Sequence, residues 1–124
     1  VIGGWRRGEG GRASGIGSLL MGVPGHGGSG LRFAGRVGTG FTERDLAHLR
    51  EVLTPLNTAE SPFDAPLPAT ELRGVTFVRP ALVGEVRYGE RTPDGRLRHP
   101  SWRGLRPDKA ADEVRWEPTR GESG

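Results

Sequence analysis

The sequence contains no cysteine, so a disulfide scaffold and any thiolate metal site are excluded. It is poor in lysine too: of 18 basic residues only Lys109 is one, and the other 17 are arginines. Arginine's GC-rich codons account for most of that bias, with bidentate phosphate recognition as the functional alternative. No apolar run approaches the roughly 18 residues of a membrane span, and the first residues lack a signal peptide's apolar core. These absences are compatible with the cytoplasm. Hydrophobic residues are scarce as well, at 33% of 124 positions, against roughly 45–50% apolar, glycine included, in an average globular chain. Glycine takes up the shortfall: 22 Gly and 10 Pro make up about a quarter of the chain. Gly and Pro this dense interrupt every long helix, which excludes an all-helical fold. The composition approaches that of low-complexity disorder, but the apolar residues are patterned rather than diluted. One small β-rich domain with many turns remains. The start at Val1, strand-like and without Met, points to a piece of a longer protein.

Charge is placed unevenly. Arg91, Arg96, Arg98, Arg103, Arg106 and Lys109 stand against only Asp94 and Asp108, a local +4 in a chain of net +3. The basic character is therefore local, as a phosphate-binding surface requires.

Along the chain, Val1–Trp5 reads as a short strand ended by a Gly- and Arg-rich loop from Arg6 to Gly15. Ile16–Val23 is a mostly apolar, buried strand. Across a glycine loop follows Leu31–Val37, where Leu31, Phe33 and Val37 alternate with Arg32, Ala34 and Arg36. Strict period two predicts one buried face and one face carrying two arginines. Thr42 is a good helix N-cap, Asp45 completes a capping-box-like pair, and Phe41 with Leu46 fits a hydrophobic staple. Pro55 stops this helix near Thr54. Four prolines between Pro55 and Arg73 argue for an irregular crossing segment. Val75–Arg79, Leu82–Glu90 and Arg96–Arg106 are strands, the last two joined by a turn at Pro93-Asp94-Gly95. The order predicts an all-β domain with one helix, a five-stranded OB-fold Greek-key barrel with the helix between strands 3 and 4. An SH3-like barrel is the rival, with no natural place for the capped helix. The domain is expected over 1–116, with a polar, loose tail over 117–124.

Several motifs dissolve on inspection. Gly25-His-Gly-Gly-Ser-Gly30 fits G-x-G-x-x-G, but a strand follows instead of a helix, so a hairpin turn explains it. The lone lysine is followed by alanine, which excludes a Walker loop. His26, His48 and His99 lie far apart without ligand spacing, so no metal site is expected. Trp5, Trp102 and Trp116 read as packing residues rather than base-stacking platforms. Glu85 and Glu90 could act as general bases, yet a solvated strand face accounts for both.

Two segments stand apart. Arg36-Val-Gly-Thr-Gly-Phe-Thr42 runs from a strand into a capped helix, and exposed amides at Gly38, Thr39 and Gly40 could hold a phosphate. Leu97-Arg-His-Pro-Ser-Trp-Arg-Gly-Leu-Arg-Pro-Asp-Lys109 is a basic strand. Unbroken alternation would put Arg98, Pro100, Trp102, Gly104 and Arg106 on one face. A solvated edge strand explains the same charge run.

With Val1-Ile-Gly-Gly-Trp5, Ile16-Gly-Ser-Leu-Leu20, Gly38-Thr-Gly-Phe41, Ser61-Pro-Phe63, Phe77-Val-Arg-Pro80, Leu97-Arg-His-Pro100 and Gly104-Leu-Arg-Pro-Asp-Lys109, nearly the whole chain resembles a known family. It looks like the C-terminal OB domain of ATP-dependent DNA ligases, of the bacterial ligase D type involved in end joining. Its last stretch is similar to nucleotidyltransferase motif VI. His99 departs from the pattern, since many cellular ligases carry an aromatic ring there, so a wedge in the minor groove is not carried over.

The resemblance implies a division of labour. Such ligases attack ATP with the lysine of a Lys-x-Asp-Gly motif, pass AMP to a 5′-phosphate, and seal with the 3′-hydroxyl. That motif is absent here, so this piece is expected to be inactive alone. The nucleophile, most ATP contacts and the divalent cation (Mg or Mn) would belong to a preceding adenylation domain of the same protein. Arg98, Arg106 and Lys109 would surround the departing pyrophosphate, with Asp108 orienting a cation or the phosphates. Arg32, Arg36, Gly38, Thr39, Gly40, His99 and Arg103 would face duplex DNA with nicks or ends, in repair at the bacterial nucleoid. Two other readings stay open: a free-standing OB module binding nucleic acid without catalysis, and a capping-enzyme-type domain acting on RNA.

Overall fold

The apolar run after Gly15 becomes the central wall of the molecule. The structure, a computed structural model, describes residues 1–7, 15–24, 30–93, 95–111 and 114. Its elements are β1 (Ile2–Arg7), β2 (Ile16–Pro24), β3 (Leu31–Val37), α1 (Glu43–Leu53), a 3-10 turn (Thr54–Leu56), β4 (Asn57–Thr58), α2 (Ala69–Leu72), β5 (Val75–Val78), β6 (Gly84–Arg87), β7 (Glu90–Arg91), β8 (Leu97–Arg98) and β9 (Ser101–Leu105). An antiparallel sheet runs β3-β2-β1-β5-β4, and a hairpin built from β6–β9 and β7–β8 completes the barrel. Hydrogen bonds from Ile2 N to Leu82 O (2.9 Å) and from Trp102 N to Thr39 O (2.8 Å) tie that hairpin to the sheet. This is the OB arrangement, with α1 after the third strand. The loop core 8–14, the turn around His26, Asp94, Trp116 and the tail lie outside the described residues.

Several expectations are corrected. The strands expected at 82–90 and 96–106 are each broken, by Tyr88-Gly89 and by His99-Pro100. His99 has φ +57, the only non-glycine in the left-handed region among the described residues, and Pro100 has no N–H to continue a ladder. The face expected to unite Arg98, Trp102 and Arg106 therefore does not form: Trp102 is buried while Arg98 and Arg103 are exposed. In β3 the pairing jumps from Met21↔Gly35 to Gly22↔Phe33, which leaves Ala34 as a bulge. Leu31 and Phe33 thus pack in one cluster and Val37 in another, rather than sharing a face. The crossing segment also holds β4 and α2, which its prolines had masked.

Two clusters share β2. Leu19 and Met21 join Ile2, Ile16, Val37, Val78 and Trp102 in the barrel interior, which Leu49 and Leu53 of α1 close. Leu20 faces the other way, toward Val1, Leu31, Phe63, Leu67 and Val83. Burial on both faces is why β2 reads as a continuous apolar run. Phe63 seats in a notch floored by Gly3 and Gly22, where a Cβ would stand 2.6 Å and 3.1 Å from its ring. Leu31 N donates to Pro62 O and Asp64 N to Leu31 O (2.9 and 2.8 Å), which pins the crossing segment to β3.

α1 begins as its sequence dictates. Asp45 N donates to Thr42 Oγ1 (3.0 Å) and Thr42 N to Asp45 Oδ2 (2.9 Å), a reciprocal capping box. Thr42→Ala should lower stability by about 1 kcal/mol, read as a lower urea midpoint with unchanged m-value; an unchanged midpoint would mean the cap is replaced by water at no cost.

Candidate phosphate and nucleic-acid interface

At the end of β9 the chain turns through Arg106-Pro-Asp-Lys109. Arg106 N donates to Val83 O (2.8 Å) and Lys109 N to Arg106 O (3.1 Å), and Pro107 occupies the second turn position, where its fixed φ fits. Arg106 Nε and Nη2 donate to the two oxygens of Asp108 (3.0 and 2.9 Å). Its Nη1 lies 3.5 Å from Glu85 Oε1. The hydrogen bond to Asp108 raises the Arg106 pKa further, and the same bond holds the Asp108 carboxyl below its ordinary value. A planar guanidinium is thus fixed in orientation while Lys109 beside it stays exposed. Because the folded-state pKa of Asp108 is depressed, the fork is intact at neutral pH and opens only as pH falls through that lowered value. By NMR, Asp108 should titrate below the ordinary value of about 3.9 and return toward it in Arg106→Ala. Equal titration in both proteins would mean that the pair does not persist in solution.

The remaining expected site residues are distributed. Arg98 pairs across the ribbon with Glu90 (Nε to Oε2, 3.6 Å). Residue 98 lies opposite 90, whereas 106 is bonded to 83, so Arg98 and Arg106 sit toward opposite ends of the hairpin. The structure does not bring Arg98 beside Arg106. The turn Gly38-Thr-Gly40 lies on β9: Thr39 O accepts from Trp102 N, and Thr39 Oγ1 donates to Pro100 O (3.3 Å). Its polar groups are thus partly spent on closing the barrel. Arg36 Nη1 donates to Glu71 Oε1 of α2 (3.2 Å), whereas Arg32, His99 and Arg103 are exposed. Trp102 packs, stacked on Phe41 at 5.7 Å between centroids, and Trp5 Nε1 donates to Asn57 Oδ1 (3.2 Å).

Sequence reasoning missed the partners. Glu85 meets Arg106 because Glu85 pairs with Gly104, after a register shift between Glu85 and Val86 that no local pattern announces. Glu71 lay in the segment read as irregular. Among the described residues no group of three or more His, Cys, Asp or Glu could hold a metal ion, and Asp108 spends both oxygens on Arg106. These residues do not fit a cation of their own. Among the described residues no helix is long and apolar enough to cross a membrane.

Comparison with known proteins adds to this geometry. The chain is 71% identical over 117 residues to the multifunctional non-homologous end joining protein LigD of Mycolicibacterium smegmatis, covering 94% of this chain and 15% of that protein. The crystal structure of the ligase domain of M. tuberculosis LigD superposes with a TM-score of 0.90 at 67% identity, covering 94% of this chain and 37% of that one. A mycobacterial DNA ligase D complexed with ATP and MES superposes at 0.83 and 64% identity, over 94% and 36% of the two chains. The chain thus spans about 15% of the length of such a relative. The family described as the ATP dependent DNA ligase C terminal region matches residues 12–109, and to that family the chain belongs.

Proposed function

We propose that the chain works as the closing domain of a longer ATP-dependent DNA ligase, docking on an adenylation domain of the same protein to hold the ATP pyrophosphate and then gripping nicked or broken duplex DNA for sealing in repair. The observation that carries this is the exposed turn at Arg106–Lys109, whose guanidinium is held in orientation by Asp108 before any ligand arrives. Pyrophosphate leaves with several negative charges, and cations already in place stabilise that leaving group without reorganising. Asp108 acts here as a positioning group for Arg106, and Lys109 adds a second cation on the same turn. Arg98, at the far end of the hairpin, is assigned to DNA or to the partner domain rather than to the pyrophosphate. Arg32, His99, Arg103 and the Gly38–Gly40 turn supply the remaining DNA surface, consistent with OB folds binding through their strand 2–3 face and adjoining loops.

The DNA half is tested with the chain itself. It should bind duplex weakly, without sequence preference, and with affinity falling steeply as salt rises. Arg103→Ala should flatten the salt slope by about 0.9, whereas Arg36→Ala, already neutralised by Glu71, should change it less. Affinity equal at low and moderate salt would remove the electrostatic account.

A further inference from the structure

Beside β3, a cleft of about 150 Å³ is lined by Arg32, Phe33, Asp64, Pro66, Pro68 and Arg96. Arg32 comes from β3, Arg96 from the turn between the two arms of the closing hairpin, and the other wall from the crossing segment. Arg96 is held with its guanidinium carbon 4.6 Å from the centre of the Phe33 ring, a cation–π contact. Phe33 is in turn fixed edge-on against Phe63. The Arg32 Nη2 atom lies 3.9 Å from where a Cβ would stand at Gly95, the residue before Arg96. Two guanidinium groups from distant parts of the chain therefore converge on one cleft. Neither forms an ion pair among the described residues, in contrast to Arg36, which Glu71 neutralises. Asp64 is the one acid on the lining, and its backbone nitrogen is bonded to Leu31 O.

We infer that this cleft is a seat for a single backbone phosphate of duplex DNA, clamped between Arg32 and Arg96. The inference rests on the proposed DNA-gripping role and adds Arg96, with a defined location, to its surface. Two arginines on one phosphate are chemically reasonable because each presents a planar donor fork matched to phosphate oxygens. The stacking of Arg96 on Phe33 lowers the entropy lost when the phosphate is taken up. Proline on both sides of Leu67 stiffens the opposite wall.

The test measures nicked-duplex affinity of the chain across a salt series. Arg32→Gln and Arg96→Gln keep a side-chain stem and remove the charge, so Phe33 stays covered. Each should weaken binding several-fold. The double variant should flatten the salt slope by about 0.9, the value for one phosphate, and cost less than the two single losses combined. Asp64→Asn should tighten binding, a gain that no folding defect imitates. An unchanged slope in the double variant overturns the proposal. So does an additive loss with a slope change near twice 0.9, which would place the two arginines on separate phosphates. Wild-type binding without salt dependence would overturn the DNA-gripping reading and the cleft with it.

Discussion

Arg106→Ala, in the longer ligase, should lower the rate of lysine–AMP formation by about 10²- to 10³-fold, roughly 3–4 kcal/mol of barrier. The same variant should close a nick already carrying AMP on its 5′-phosphate with far less impairment. The difference follows from charge. On the proposed reading, pyrophosphate is expelled only in the first step, so a guanidinium placed at it would stabilise that transition state selectively. Sealing expels AMP and offers Arg106 no pyrophosphate to hold. Asp108→Ala should move in the same direction, because the guanidinium it holds through two hydrogen bonds becomes free to wander. Asp108→Asn keeps one acceptor and should fall between. Single-turnover assays of adenylation and of pre-adenylated nick closure separate the steps. Equal losses in both would assign these residues to folding or DNA grip instead.

Gly40→Ala should destabilise the domain by about 2–5 kcal/mol, with a melting temperature lower by on the order of 10 °C. Gly40 has φ +91, and a Cβ there would stand 2.5 Å from Ser101 Oγ and 2.6 Å from both Trp102 N and Trp102 O. Two of those three neighbours are backbone and cannot swing away. The insertion would also pry Thr39 O from Trp102 N, loosening the seam between the helix entrance and β9. Gly74→Ala is the internal comparison: its φ is +69 but nothing lies within 4 Å of the new Cβ. It isolates backbone strain, about 1–2 kcal/mol, from the clash. Equal losses at the two positions would show that β9 yields to Gly40 at no cost.

What was legible in the sequence was what is decided within a few residues. Thr42 and Asp45 face each other across one helical turn, so the start of α1 could be read directly. The turn expected at 93–95 includes Asp94, outside the described residues; of the described residues beside it, Gly95 N donates to Thr92 O (2.9 Å). The resemblance to motif VI singles out Arg106, Asp108 and Lys109, but neither the turn they form nor the bidentate contact of Arg106 with Asp108 is legible in the sequence. What failed depends on partners far along the chain. The Ala34 bulge exists because β2 and β3 slip past each other, and it sorts Phe33 and Val37 into different clusters. The broken line from Arg98 to Arg106 depends on His99 entering a backbone region that its neighbours do not announce. The sequence singles out Phe63 only within the motif Ser61-Pro-Phe63, and nothing near it announces that Gly3 and Gly22 leave room for its ring.

The double burial of β2 has a mechanical corollary. A strand that is wall to both clusters leaves neither able to melt without baring one side of it, so barrel and crossing segment should unfold in a single transition. The slowest amide hydrogens to exchange should be those of Leu19, Leu20 and Met21, released only on global opening. A domain built this way transmits a load instead of absorbing it. If it must visit an adenylation domain and then a duplex, it does so as one stiff body carrying the Arg106–Lys109 turn at a fixed angle.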